Sequence, residues 1–120
     1  MTTPRFRLET EQRPQGVIVR LFGDFDHLAF GEVDAVLRGA QGDPDADVVL
    51  DLRALDFMDS NGIRAVIKAR ARAEAVGGRF RVIRGPKHVQ RVFELVGLDD
   101  RLDFVDMDEG RNGIAGSSDS

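Results

Sequence analysis

The chain has 120 residues, of which 42% are hydrophobic and 32% are charged, a composition typical of one globular domain. Its formal net charge of −4 argues against nucleic-acid binding, and the lack of cysteine excludes disulfides and thiolate sites. Two histidines, His27 and His88, are too few for an ordinary zinc centre, so we predict neither metal nor cofactor. The chain has no apolar run of about 20 residues and no signal-peptide core at its N-terminus. We therefore expect a cytoplasmic protein without membrane insertion.

The first part of the chain predicts a β-hairpin followed by a helix. Weak alternation indicates an edge strand at Phe6–Glu11, and the β-branched run Val17–Phe22 indicates a central strand that Gly23 ends. A Pro-Gly turn at 13–16 joins the two strands in antiparallel order. Apolar spacing then predicts a helix over Leu28–Ala40. We expect its buried face to comprise Leu28, Phe30, Val33, Val36 and Leu37.

The middle of the chain predicts a central strand, a loop and a second helix. The apolar run Val48–Leu52 indicates a strand parallel to the preceding one, because a strand, a helix and a strand form a right-handed βαβ unit. Residues 54–58 are predicted to form a loop, and the helix Asn61–Val76 is expected to end at Gly77. Core side chains are expected at Leu55, Phe57 and Met58 in the loop and at Ile63, Val66, Ile67 and Ala71 in the helix.

The last part of the chain predicts a strand, a helix, a short strand and a tail. The strands are Phe80–Ile83 and Leu102–Val105, and the helix begins at Pro86 and is closed by Gly97. Its apolar stripe is expected to comprise Val89, Val92, Phe93 and Val96. Residues 107–120 are polar and rich in Gly and Ser, so we predict a disordered tail. The order β-β-α-β-α-β-α-β predicts a single α/β domain over residues 1–106. Its sheet is mixed and mostly parallel, with about five strands and helices packed against it.

The turn Asp59-Ser60-Asn61-Gly62 is where the sequence predicts a functional site. A hydroxyl group lies there at the start of a predicted helix, directly after a central strand. Asp59 or Ser60 could cap the helix, and Asn61 could also take the cap. We expect Gly62 to leave the surface beside the hydroxyl uncluttered.

The same turn carries a family resemblance. The run LDLRALDFMDSNGIRAV, residues 50–66, resembles the signature of the STAS domain, and in particular that of bacterial anti-sigma factor antagonists. Three further segments match the family in register: residues 23–26, 75–78 and 91–98. The resemblance covers residues 5–106. Asn61 departs from it, because the family more often has Ser, Thr or Ala there.

The resemblance implies a phosphorylation switch and no catalytic residues in this chain. In the family, an anti-sigma factor that is also a serine kinase phosphorylates the hydroxyl matching Ser60. The unmodified antagonist captures that partner and frees the sigma factor, and a serine phosphatase restores the unmodified form. A phosphate at a helix N-terminus is electrostatically tolerated, and it adds about 1.5 to 2 negative charges. We expect a monomeric binding protein that is a substrate of a kinase and not itself an enzyme.

Further side chains are predicted to bind the partner around Ser60. Asp24 and Asp26 follow a strand and are expected to lie near this turn, with Asp59, Asn61 and Gly62. A basic stripe on the second helix would dock an acidic partner. Its members are Arg64, Lys68 and Arg72.

Two alternative readings of the chain remain. One is a non-switching STAS subunit of a transporter or of a stress-signalling complex. The other is a response-regulator-like receiver, which needs its phosphoacceptor Asp at the end of a strand. Asp51 lies within its predicted strand, and Lys68 and Lys87 are the only lysines.

Overall fold

The computed structural model describes residues 5–106 of the chain, and the predicted tail at 107–120 lies outside them. The described residues form five strands and three helices in the predicted order. Their bounds are β1 Phe6–Arg13, β2 Gly16–Phe25, α1 His27–Ala40, β3 Asp47–Met58, α2 Ser60–Val76, β4 Arg79–Ile83, α3 Lys87–Leu95 and β5 Phe104–Val105.

The five strands form one sheet in the order β1-β2-β3-β4-β5. β1 pairs with β2 in antiparallel fashion, and all later pairs are parallel. The predicted mixed sheet with an opening hairpin is therefore confirmed. Because β2, β3 and β4 are parallel, they end at the same edge of the sheet, and α1, α2 and α3 all begin there. We call this the carboxyl edge; it comprises the turns after Phe25, Met58 and Ile83.

The three helices pack on one face of the sheet. Their buried residues form a single cluster with alternate residues of the strands, such as Leu21 and Leu50. The other face carries a small apolar cluster of Ile18, Val49, Ile83 and Val105. Charged pairs surround this second cluster, since Arg81 contacts Asp47 at 2.6 Å and Arg53 contacts Asp51 at 2.9 Å. Asp51 lies inside β3, as the sequence predicted, and the structure shows that it is buried.

β2 and β3 continue well past their predicted C-terminal ends, and the pairing between them contains β-bulges. β2 continues through Gly23 to Phe25, and β3 continues through the predicted loop to Met58. The register between them shifts twice, and each time β3 has one more residue than β2. Gly23 adopts a φ of 88°, and a Cβ there would lie 2.1 Å from the backbone oxygen of Arg5. Gly23 therefore permits this close approach within β2, and the prediction that it ends the strand is wrong.

Several apolar side chains predicted to be buried are exposed. Leu28 is 78% exposed, because the buried residues of α1, Ala29, Val33 and Leu37, define a face rotated away from it. Phe57 is 46% exposed, whereas its neighbour Met58 is buried as expected, because adjacent strand residues point to opposite faces. Three further members of the predicted core are also exposed: Ile67 and Ala71 on α2, and Val96 at the C-cap of α3.

Candidate functional site

The turn that follows β3 is tied to the end of β2. The backbone N–H of Asp59 donates to the carbonyl oxygen of Phe25 at 3.2 Å, directly after the last paired residues of the two strands, Phe25 and Met58. α3 reaches the same region, since Nε2 of His88 donates to the carbonyl oxygen of Asp56 at 2.6 Å. The strands thus hold the start of α2 in a fixed position at the carboxyl edge.

Asp59 is the cap of α2, which leaves the hydroxyl group of Ser60 free. The carboxylate Oδ1 of Asp59 accepts from the backbone N–H of Asn61 at 2.8 Å and from its side-chain Nδ2 at 3.1 Å. The Asn61 side chain therefore supports the cap and does not replace it. Ser60 is the first helical residue and is exposed, and its side chain makes no hydrogen bond within residues 5–106. The hydroxyl is accessible to an external reagent or partner.

Gly62 is buried and faces the interior, so its predicted surface role is wrong. A Cβ at this position would lie 2.3 Å from Cγ and 2.5 Å from Sδ of Met58. Both distances are far below van der Waals contact, because the first turn of α2 lies directly on the Met58 side chain. Gly62 therefore sets how closely α2, and with it Ser60, approaches the end of β3.

Replacing Gly62 with alanine is expected to lower the free energy of unfolding by about 1–2 kcal/mol, because Met58 must move from its packed position. The matched control is Gly31→Ala in α1, where nothing lies within 4 Å of the added Cβ. That change should raise the free energy of unfolding by about 0.5–1 kcal/mol through better helix propensity. Urea titrations followed by circular dichroism measure both. Equal effects of the two substitutions would contradict the packing role of Gly62.

The two predicted acidic residues lie at the carboxyl edge, each with a structural partner. Oδ2 of Asp24 pairs with Nη2 of Arg5 at 3.1 Å, and Asp24 lies beside Phe57 in the sheet register. Oδ1 of Asp26 caps α1 by accepting from the backbone N–H of Leu28 at 3.0 Å. Both residues therefore lie at the edge of the sheet where the Ser60 turn also begins, and the structure gives each a structural role.

The predicted basic stripe divides in two in the structure. Arg64 and Lys68 are exposed, and the guanidinium carbon of Arg64 lies 3.9 Å from the ring centroid of Phe30 on α1. Arg72 instead turns towards α1, since eight residues along a helix of 3.6 residues per turn rotate its side chain by about 80° from Arg64. Its Nη1 contacts Asp34 Oδ1 at 3.1 Å. Its Nε donates to Gln41 Oε1 at 3.0 Å. Arg72 joins the two helices and does not extend the stripe.

The exposed side of α2 forms a continuous strip that starts at Ser60. We give the name docking face to five of its exposed residues, Ser60, Arg64, Ile67, Lys68 and Ala71; Arg70 and Glu74 are also exposed and pair with each other. Sequence reasoning missed Ile67 and Ala71, although they follow Ser60 at the helical spacings of seven and eleven residues. The face combines two cations with the exposed apolar side chain of Ile67, a combination suited to binding a protein surface.

The structure has few other features that would suggest chemistry. Within residues 5–106, no group of three His, Asp or Glu side chains could hold a metal ion. None of the described helices is long and apolar enough to cross a membrane.

Comparison with known proteins gives consistent matches over nearly the whole described chain. The family model described as "Mlab, STAS domain" matches residues 8–106. A protein of Lysinibacillus sphaericus named "Anti-sigma F factor antagonist" is 35% identical over 95 residues, which cover 78% of this chain and 80% of that protein.

Two solved structures of an antagonist named SpoIIAA are also similar. The unphosphorylated form matches with a TM-score of 0.77 and 27% identity, covering 95% of this chain and 98% of the other. The phosphorylated form from Bacillus matches with a TM-score of 0.72 and 26% identity, covering 92% and 99%. The fold agrees with these matches, and the chain belongs to the STAS domain family.

Proposed function

We propose that this protein is an anti-sigma factor antagonist, a protein-binding switch that phosphorylation of Ser60 inactivates. The observation that carries the proposal is the exposed Ser60 hydroxyl, which stands at the start of α2 without a capping role. Similarity to the antagonist of Lysinibacillus sphaericus and to SpoIIAA, whose phosphorylated form has been solved, supports it. The unmodified protein captures an anti-sigma factor that has serine kinase activity and thereby frees a sigma factor.

The local geometry suits a reversible modification. Asp59 and Asn61 hold the start of α2 without help from Ser60, so a phosphate can be added without loss of the cap. Free backbone N–H groups at a helix N-terminus favour an anion there. A phosphate brings about 1.5 to 2 negative charges to the surface. The switch therefore changes the surface charge and leaves the fold intact, and a serine phosphatase can reverse it.

The docking face supplies the contact with the partner. Arg64 and Lys68 make no ion pair within the described residues, so both are available to carboxylates on the partner. Ile67, three residues after Arg64, is 45% exposed and offers an apolar contact. Asp24, Asp26 and Asp59 form the acidic border of the site at the carboxyl edge. Gly62 sets how closely the start of α2 approaches the end of β3. We place the protein in the cytoplasm as a monomer and as a substrate, without catalytic activity of its own.

The test is labelling by candidate anti-sigma kinases with ATP, followed by mapping of the phosphate by mass spectrometry. Ser60 and Thr10 are the only hydroxyl-bearing residues between positions 5 and 106, because this chain has no tyrosine. We expect Ser60→Ala to abolish labelling. The matched control, Thr10→Ala on the exposed edge strand β1, should retain it.

A second control replaces the serines at 117, 118 and 120 together and should also retain labelling. Labelling that persists in the Ser60→Ala protein would contradict the assignment of the phosphorylation site. A kinase that binds the protein and never labels it would favour the alternative, a non-switching STAS subunit of a transporter or of a stress-signalling complex.

A further inference from the structure

Ser60 and Arg64 lie one helical turn apart on the docking face. Residues four apart on a helix have Cβ atoms about 5–6 Å from each other and lie on the same side. Both side chains are exposed, and α2 is regular from Ser60 to Val76. A long Arg side chain that points back along the helix reaches the group one turn before it. An anion attached to the Ser60 oxygen would therefore lie within reach of the Arg64 guanidinium.

Arg64 is free to change its partner. Its guanidinium lies over the ring of Phe30 and makes no ion pair within residues 5–106. An exposed cation–π contact is weak, whereas a guanidinium can bind a phosphate through two parallel charge-assisted hydrogen bonds. A phosphate on Ser60 would thus draw Arg64 from the ring.

The surroundings of Ser60 leave few other cations for this role. Three carboxylates, Asp24, Asp26 and Asp59, lie at the carboxyl edge, so a doubly charged phosphate there needs a counter-ion. Arg5 is already paired with Asp24. Lys68 lies two turns from Ser60, and Lys87 belongs to α3. Arg64 is the cation that the helix itself places next to the modification.

We propose that the Arg64 side chain binds the phosphate on Ser60, one turn earlier in the same helix. The inference rests on the proposed phosphorylation of Ser60. Phosphorylation then acts twice on the docking face, because it adds negative charge and also withdraws the cation nearest to it. The partner loses an attractive contact at the same site where it meets a repulsive one.

The test uses protein in which phosphoserine is incorporated at position 60 during synthesis, so that no kinase is needed. The second ionisation of the phosphate is followed by ³¹P NMR against pH. A nearby guanidinium favours the doubly charged phosphate and lowers the titration midpoint. We expect Arg64→Gln to raise the midpoint by about 0.3 pH units, and Arg64→Lys to restore part of the difference. Lys68→Gln removes the same charge two turns along α2, and Lys87→Gln removes it from α3; each should shift the midpoint by less than about 0.1.

An unchanged midpoint in Arg64→Gln, or an equal shift in Lys68→Gln or Lys87→Gln, would overturn the pairing. Both results are independent of kinase labelling. A failed pairing would leave Ser60 labelling intact, and a failed labelling experiment would leave the NMR difference measurable.

Discussion

Ser60→Asp is expected to weaken binding of the anti-sigma partner about 100-fold, because a carboxylate at the end of the docking face loses its hydration when the partner binds. The new charge also lies beside the Asp59 carboxylate, and it repels the partner carboxylates that bind Arg64 and Lys68. Isothermal titration calorimetry with the partner that labels Ser60 measures the change. The fold should persist, since an acidic residue in the first turn of a helix is favourable.

The matched control is Ser60→Asn, which has nearly the shape of aspartate without its charge. We expect its affinity to stay within about threefold of that of the unmodified protein, and Ser60→Ala should also bind. If asparagine weakens binding as much as aspartate does, the size of the side chain and not its charge governs the interface. Full binding by the aspartate variant would contradict the charge-based switch.

The fold follows from local patterns of the chain. The β-branched run at Val17–Phe22 and the apolar run at Val48–Leu52 identify the central strands, since only a strand buried on both faces is so uniformly apolar. Gly77 ends α2 in the left-handed conformation that its position predicted. These signals lie within one element each, so they can be read without knowledge of neighbouring elements. The functional site at the Ser60 turn is predicted in the same way, from a hydroxyl-bearing residue between a predicted strand and a predicted helix.

The features that sequence reasoning missed depend on neighbours in space. Gly23 resembles a strand end until its close approach to the backbone of Arg5 is known. Gly62 resembles a surface residue until the position of Met58 beneath α2 is known. The exposed side of α2 likewise depends on how the helix is rotated against the sheet and α1, and this rotation exposes Ile67. Tertiary packing fixes all three, and a single sequence shows it only indirectly.

Arg72→Met is expected to lower the free energy of unfolding by about 2–3 kcal/mol, because the change leaves a buried carboxylate and a buried amide without their partner. Asp34 on α1 and Gln41 at the C-cap of α1 are both buried, and each bonds to Arg72. Gln41 also donates to the carbonyl oxygen of Ala69 at 2.7 Å, so the three side chains form one link between α1 and α2. Asp34 keeps a contact with Arg38, which limits the loss.

The matched control is Arg70→Met on the same helix. Arg70 forms an exposed pair with Glu74, and its replacement should change the free energy of unfolding by no more than about 0.5 kcal/mol. Urea unfolding followed by circular dichroism compares the two variants. In a double-mutant cycle with Asp34→Asn, the double variant should lose less stability than the sum of the two single variants, because the two residues are in contact. Equal effects of Arg72→Met and Arg70→Met would contradict the buried link.

Binding measurements on Arg72→Met and Lys68→Met decide whether Arg72 belongs to the docking face. A residue that binds the partner loses affinity when it is replaced, whereas a residue that joins two helices loses stability. Under conditions where the protein stays folded, Arg72→Met should bind the partner with unchanged affinity, and Lys68→Met should bind more weakly, since Lys68 is exposed beside Ile67. A loss of affinity in Arg72→Met equal to that in Lys68→Met would show that Arg72 contributes to partner binding with the rest of the basic stripe. The structure predicts the opposite, because the guanidinium of Arg72 is already bound to α1.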